Sequence, residues 1–323
     1  MIRLVCTGGT ISMQPDAAAG GLVPALGAEL LAEIAGGRDV LGEITVEDWE
    51  RLPGSHMGPA RLWALREHVA ELAARRDVDA VVITHGTDTL EETAYVLART
   101  LARDAAPVVL TGAMRTAGTP EWDGARNLRD AVRVARSPAA RGRGPLVVFA
   151  GRILPAALAT KVHATALDAF GTPHGNPTGT VDERGLSFTS ATPPVAAEPL
   201  VARRGLEPRV ALVTLVTGDE GELVEAARSD FDGLVIEGFG AGNVPPGALP
   251  ALERWRDDGK PVVLASRCAE GQVEPAYGFQ GGGAGLVALG VVPAGPRTPA
   301  QARIELILSL SAGTPYGGRQ VAR

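Results

Sequence analysis

The chain has 323 residues, 37 acidic against 31 basic, for a formal charge of −6. That acidity, with no dense Lys/Arg run, excludes a nucleic-acid protein that works by neutralising phosphates, and no apolar stretch reaches the ~20 residues of a membrane span. A 45% hydrophobic content supports a sizeable core rather than disorder.

The two cysteines, Cys6 and Cys268, make neither a disulfide framework nor a zinc site. The five histidines have no metal-ligand spacing, and no GxGxxG or Walker-type motif is present, so no metal and no cofactor is expected. The opening MIRLVC run is too short for a secretory signal. A cytoplasmic location is expected, with no membrane or nucleic-acid partner.

Short β-branched runs alternate with helical patterns, which predicts an α/β fold. Ile2–Cys6 reads as the first strand. Ala80–Thr84 (AVVIT), Pro107–Thr111 (PVVLT) and Pro145–Ala150 (PLVVFA) read as strands covered on both faces. Leu90, Ala94, Leu97 and Leu101 mark a helix, with Glu91 and Glu92 in its first turn. Asp123–Ala135 is a second helix whose arginine-rich face is expected in solvent. Val181–Thr189 reads as a hairpin, and the proline-rich Thr189–Pro208 suits a linker.

Beyond it, strands at Val210–Leu215, Gly233–Glu237 and Pro261–Ala265 alternate with helices at Gly221–Ser229, Gly247–Asp257 and Thr298–Ser311. The expected architecture is a larger N-terminal α/β domain with a mainly parallel sheet (1–190), a linker (191–208) and a smaller C-terminal α/β domain (209–323).

Ligands of open α/β sheets bind outside the carboxyl ends of the strands, so the residues that follow each strand matter most. They are Thr7-Gly8-Gly9-Thr10 after the first strand, His85-Gly86-Thr87-Asp88-Thr89 after AVVIT and Gly112-Ala113-Met114-Arg115 after PVVLT. Glycine lets backbone amides approach a ligand while threonine supplies a hydroxyl. Alone, TGGT could be a tight turn and Asp88 a helix N-cap. Only two basic side chains, Lys161 and Lys260, are lysine. Lysine can give up its proton and arginine cannot, which makes Lys161 a candidate to activate a threonine hydroxyl. Lys260, in DDGKP, reads as a solvated turn residue.

With these residues in view, the chain resembles the bacterial-type L-asparaginases and their glutaminase-asparaginase relatives. TGGTI (Thr7–Ile11), HGTDTLEETA (His85–Ala94), VVLTGAMR (Val108–Arg115), DGARNL (Asp123–Leu128), ATK (Ala159–Lys161) and GFGAGN (Gly238–Asn243) fall in the family's order. The resemblance implies hydrolysis of L-asparagine to L-aspartate and ammonia through a β-acyl-enzyme, with Thr10 as nucleophile. It implies a second constellation of Thr87, Asp88 and Lys161, and oxyanion donors near Thr87 and Ala113. Gly54, Ser55 and His56 match the loop that binds the substrate's α-carboxylate and amino group, and Asp88 would pair with its ammonium. Asn243 and an acidic residue, Glu274 in preference to Glu270, would come from a neighbouring subunit, which implies a dimer or a homotetramer.

Two departures stand out. Relatives usually carry a tyrosine in the loop after TGGTI, whereas Ser12–Val23 has none. His56 stands where many carry glutamine or a carboxylate. A broader glutaminase-asparaginase, an asparaginase-like amidotransferase subunit and a non-catalytic amino-acid sensor are the alternative readings.

Overall fold

Mostly apolar residues fill β1 (Ile2–Gly8), of which every residue but Arg3 is buried. In the computed structural model, which describes residues 1–102, 104–189 and 199–318, the chain divides into two compact units. The first is Met1–Thr172 with Asn176–Pro199; the second is Pro173–Gly175 with Leu200–Arg323.

In the first unit β1 leads to a hairpin, β2 (Met13–Asp16) and β3 (Gly21–Pro24), then α1 (Ala28–Ile34), α2 (Gly37–Leu41) and β4 (Ile44–Leu52). Next come α3 (Pro59–Ala74), β5 (Ala80–Thr84), α4 (Leu90–Thr100), β6 (Val108–Thr111), α5 (Gly124–Arg136) and β7 (Leu146–Phe149). The unit ends with β8 (Arg152–Pro155), the short pair β9 (Thr160–Lys161) and β10 (Phe170–Gly171), and a hairpin of β11 (Gly179–Asp182) and β12 (Gly185–Phe188).

Eight of these strands form one sheet in the order β12-β11-β8-β7-β6-β5-β1-β4. The five from β7 to β4 are parallel; β8, β11 and β12 extend it antiparallel. The chain passes from β1 to β4 on one side and then to β5 on the other. The winding therefore reverses between β1 and β5, the topological switch point where doubly wound sheets open a crevice. Alternation along β5 sends Ala80 and Val82 into a core with α1, α2 and α5. Val81 and Ile83, equally buried, face the opposite side, where α3 packs on β5.

Helix α5 shows the same logic. Leu128, Ala131, Val132, Val134 and Ala135 join the core, while Arg126, Arg129, Arg133 and Arg136 lie on the opposite, more exposed face, as the sequence pattern predicts. Burial pushes the Cys6 thiol up to about 12, so it acts as a core apolar group.

In the second unit β13 (Val210–Thr214), β14 (Gly233–Gly238), β15 (Val262–Ser266) and β16 (Val292–Pro293) form a parallel sheet in sequence order. They alternate with α6 (Glu222–Ala227), α7 (Leu249–Asp257), α8 (Gly283–Ala288) and α9 (Pro299–Ala312). α9 packs on β13 and β14 and starts with a capping box between Thr298 and Gln301. Lys260 is not the free turn residue expected from DDGKP. Its Nζ donates to the Arg228 carbonyl at 2.6 Å and lies over the ring of the fully buried Trp255. Residues 199–208 hold turns with neither strand nor helix. The rest of the expected linker, 191–198, lies outside the described residues.

Candidate active site

Four adjacent parallel strands, β4, β1, β5 and β6, deliver the four glycine-bearing loops to one end of the sheet. Three of those loops touch through their backbones. A Cβ built on Gly9, at φ +81°, would lie 2.3 Å from the Gly86 Cα, and one on Gly86 would lie 2.5 Å from the Gly54 Cα. No side chain fits between backbones that close. This contact sets Thr10 and Thr87, each one residue further along, on neighbouring loops across the switch point.

Lys161 closes the cluster. It sits on β9, where its Nζ donates to Thr87 Oγ1 at 3.0 Å and to Asp88 Oδ1 at 3.1 Å. Thr87 is buried and the Lys161 side chain is 21% exposed, whereas Asp88 is 62% exposed. The amine and hydroxyl are thus sheltered, with the carboxylate open to an incoming cation. Asp88 is not the helix N-cap: α4 starts after Thr89, and the Asp88 carboxylate faces Lys161.

The groups that hold this cluster lie within the HGTDTLEETA segment, which by itself assigns them no role. Glu91, in sequence only a first-turn acid, accepts from the Lys161 backbone N–H at 2.8 Å and from the Thr160 hydroxyl, which fixes the strand that carries the lysine. Thr89 Oγ1 donates to the Gly54 carbonyl at 2.7 Å and so ties the Gly54–His56 turn to the Thr87 loop. Ser55 and His56 are exposed on that turn.

Ala113 is buried between two tethers. The Asp123 carboxylate accepts from the Met114 N–H at 3.0 Å and the Arg115 N–H at 2.8 Å, and Asn127 Nδ2 donates to the Gly112 carbonyl at 3.0 Å. The DGARNL segment therefore clamps the loop after β6; an acid and an amide four residues apart at the start of a helix are the available signal.

His85 is a further structural member. Its Nδ1 lies 2.8 Å from the Gly86 carbonyl, which can only accept, so the proton is on Nδ1 and Nε2 accepts from Thr93 Oγ1 at 3.0 Å. Complete burial pushes its pKa from 6.5 down to about 4. The folded state thus resists a proton that the unfolded chain takes up at about pH 6.5. The stability from neutral His85 is full above that pH and is lost as pH falls toward 4, by on the order of 3 kcal/mol. Urea titrations at pH 7, 5.5 and 4.5 should show a steeper loss for wild type than for His85→Gln.

Asn243 and Glu274 belong to the second unit. Phe239 and Asn243 exchange backbone hydrogen bonds, and the Glu274 N–H donates to the Ala241 carbonyl at 2.9 Å, so both residues belong to one loop cluster after β14. Asn243 Oδ1 is buried with no hydrogen-bond partner among the described residues. Glu270 and Glu274 are both exposed, Glu274 next to the buried Val273 in sequence. Among the described residues no group of His, Cys, Asp and Glu could hold a metal ion, and no helix is long and apolar enough to cross a membrane.

Known proteins are similar to this chain over nearly its full length. The asparaginase N-terminal family model matches residues 1–193 and the glutaminase/asparaginase C-terminal domain model matches 209–319. A probable L-asparaginase of Deinococcus radiodurans is 42% identical over 317 residues, covering 97% of this chain and 93% of the relative. An L-asparaginase of Bacillus licheniformis is 32% identical over 312 residues, covering 96% of this chain and 95% of the relative. The crystal structure of a probable cytoplasmic L-asparaginase from Campylobacter jejuni superposes with a TM-score of 0.84 at 29% identity, covering 96% of this chain and 94% of that one. The fold and these relatives define an α/β amidohydrolase. The chain belongs to the asparaginase family.

Proposed function

We infer that the protein is a cytoplasmic L-asparagine amidohydrolase that works through a threonine nucleophile. The observation that carries this reading is Lys161 Nζ within 3.1 Å of both Thr87 Oγ1 and Asp88 Oδ1, beside the loop that bears Thr10. A zwitterionic substrate needs an anion for its ammonium and a donor for its carboxylate. Exposed Asp88 supplies the first and the Gly54–Ser55–His56 turn the second.

Thr10 Oγ1 attacks the side-chain amide carbon, and backbone N–H groups near Thr87 and Ala113 bind the oxygen as it gains charge. The C–N bond breaks, the Thr10 proton leaves with nitrogen as ammonia, and a β-aspartyl ester remains on Thr10. Water aligned by Thr87 and Lys161 then forms the new C–O bond, releases aspartate and returns a proton to Thr10. Ser12–Val23 is free of tyrosine, and the Thr87–Lys161 pair carries the proton movement of the water step. Asn243 Oδ1, buried and without a hydrogen-bond partner among the described residues, supports a role for that residue, with Glu274, against a neighbouring copy in a dimer or tetramer. Under the proposed division into domains 1–190 and 209–323, Thr10 and Lys161 fall in the same N-terminal domain.

The test is ammonia release from L-asparagine, L-glutamine and D-asparagine. Turnover of L-asparagine at least about tenfold above L-glutamine is expected, because a site shaped to one side-chain length misplaces the amide of a chain one methylene longer. Equal rates would assign the broader glutaminase-asparaginase activity. Aspartate binding without any ammonia release would make the protein a sensor.

A further inference from the structure

Helix α5 presents Arg126, Arg129, Arg133 and Arg136 at intervals of three and four residues, which aligns them on one face. That face is exposed but concave. Together with Arg184 from the β11–β12 hairpin it lines a cleft of about 650 Å³, within the range of small-molecule sites. The cleft shares no residue with the candidate active site.

The hydrogen bonds of these arginines orient them without cancelling their charge. Arg129 Nη1 donates to the Ala35 carbonyl and Arg136 Nη2 to the Glu43 carbonyl, each at 3.4 Å, and Arg133 Nη1 donates to the Asp182 carbonyl. A carbonyl accepts a hydrogen bond but carries no net charge, and each guanidinium keeps further N–H donors. Three carboxylates face the five guanidiniums. Asp182 Oδ1 is occupied by the Arg184 and Gly185 backbone N–H groups of its own turn. Asp130 is 6% exposed, reaches Arg126 Nε only at 3.6 Å, and leaves Oδ2 without a hydrogen bond among the described residues. Burial pushes the Asp130 carboxyl up in spite of the guanidiniums of Arg126, Arg133 and Arg129, which weakens it as a counter-charge. The cleft thus has a surplus of positive charge on a protein whose net charge is −6.

We propose that this cleft is a second ligand site that binds a small anion with two or three linked phosphates, through the fork-shaped guanidiniums of α5 and Arg184. Arginine forks match phosphate oxygens two at a time, and a concave site lined by one sign of charge concentrates counter-ions. Glu183, on the cleft wall without a part in the turn's Asp182 bonds, is placed to accept from a hydroxyl or amine on the rest of such a ligand.

Isothermal titration of the full-length protein with inorganic triphosphate and, separately, with ATP tests this. Saturable binding is expected for both, with dissociation constants raised at least about tenfold by Arg129→Ala/Arg133→Ala and by Arg184→Ala. Arg184 lies on an exposed hairpin turn, so its variant keeps the test valid if the α5 variant folds poorly. Arg256→Ala, which removes one charge from the second unit, should change nothing. Tighter binding of ATP would extend the site to nucleoside polyphosphates; equal binding would assign it to the phosphate chain alone. No binding at millimolar triphosphate, or an equal loss in Arg256→Ala, would overturn the proposal. Asparagine hydrolysis by Arg184→Ala in the absence of the anions should match wild type, so the result is independent of the catalytic reading.

Discussion

Lys161→Arg should lower kcat for asparagine about a thousandfold while keeping the positive charge. Three features of the site produce this loss. The Lys161 amine lies 3.0 Å from Thr87 Oγ1 and 3.1 Å from Asp88 Oδ1, a spacing that a compact amine fills and a planar fork does not. Its backbone is pinned through the Glu91 carboxylate, so the strand cannot retreat to admit a longer group. Arginine also cannot release a proton at any working pH, which removes proton transfer through Thr87 and with it the roughly hundredfold to ten-thousandfold that a positioned acid–base group supplies. Lys260→Arg provides the contrast. Both of its contacts, a carbonyl and an indole face, suit a guanidinium equally well, so kcat should stay within about twofold of wild type. Steady-state ammonia assays on both variants, with circular dichroism to confirm folding, measure the difference. A Lys161→Arg enzyme within about tenfold of wild type would show that charge alone is needed at this position.

What a sequence discloses and what it hides follow from burial. Strands such as Ala80–Thr84 are covered on both faces and read as unbroken apolar runs, so they and the loops they carry are visible. β4 is not, because it lies at the sheet edge and its residues (ITVEDWERL) are only half-buried, with no apolar run to mark them. Yet β4 brings Gly54 and Ser55 to the site. The hairpin after TGGTI is hidden as well; its small turn residues carry no pattern that reveals the pairing of Met13–Asp16 with Gly21–Pro24. Thr10, Thr87 and Asp88 stand out because they follow apolar strands, and Lys161 because it is one of only two lysines. Glu91, Asp123 and Asn127 do not, since a carboxylate or amide on a helix looks the same whether it faces water or holds a distant loop. Three of the 41 glycines gain a specific meaning. Gly9, Gly86 and Gly54 are places where three backbones meet, a relation that no local window of sequence contains.

Thr10→Ala and Thr87→Val are expected to stop the reaction at different points. Thr10→Ala removes the attacking oxygen, so no ester forms and kcat falls by about a thousandfold or more, while aspartate still binds through Asp88 and the Gly54–His56 turn. Valine nearly matches threonine in shape but lacks the oxygen that accepts from Lys161 at 3.0 Å. Thr87→Val should therefore release one equivalent of ammonia rapidly and then stall about a hundredfold below the wild-type rate, because the water that cleaves the ester is no longer aligned. Rapid-quench ammonia measurement and intact-protein mass spectrometry distinguish the two variants. The mass of one aspartyl group should build up on Thr87→Val and be absent from Thr10→Ala. The opposite pattern has its own physical basis, since a nucleophile is commonly the hydroxyl in hydrogen-bond reach of the base, and here that hydroxyl is Thr87. An aspartyl adduct on Thr87 in the Thr10→Ala enzyme would move the first chemical step to Thr87 and leave Thr10 to position the amide.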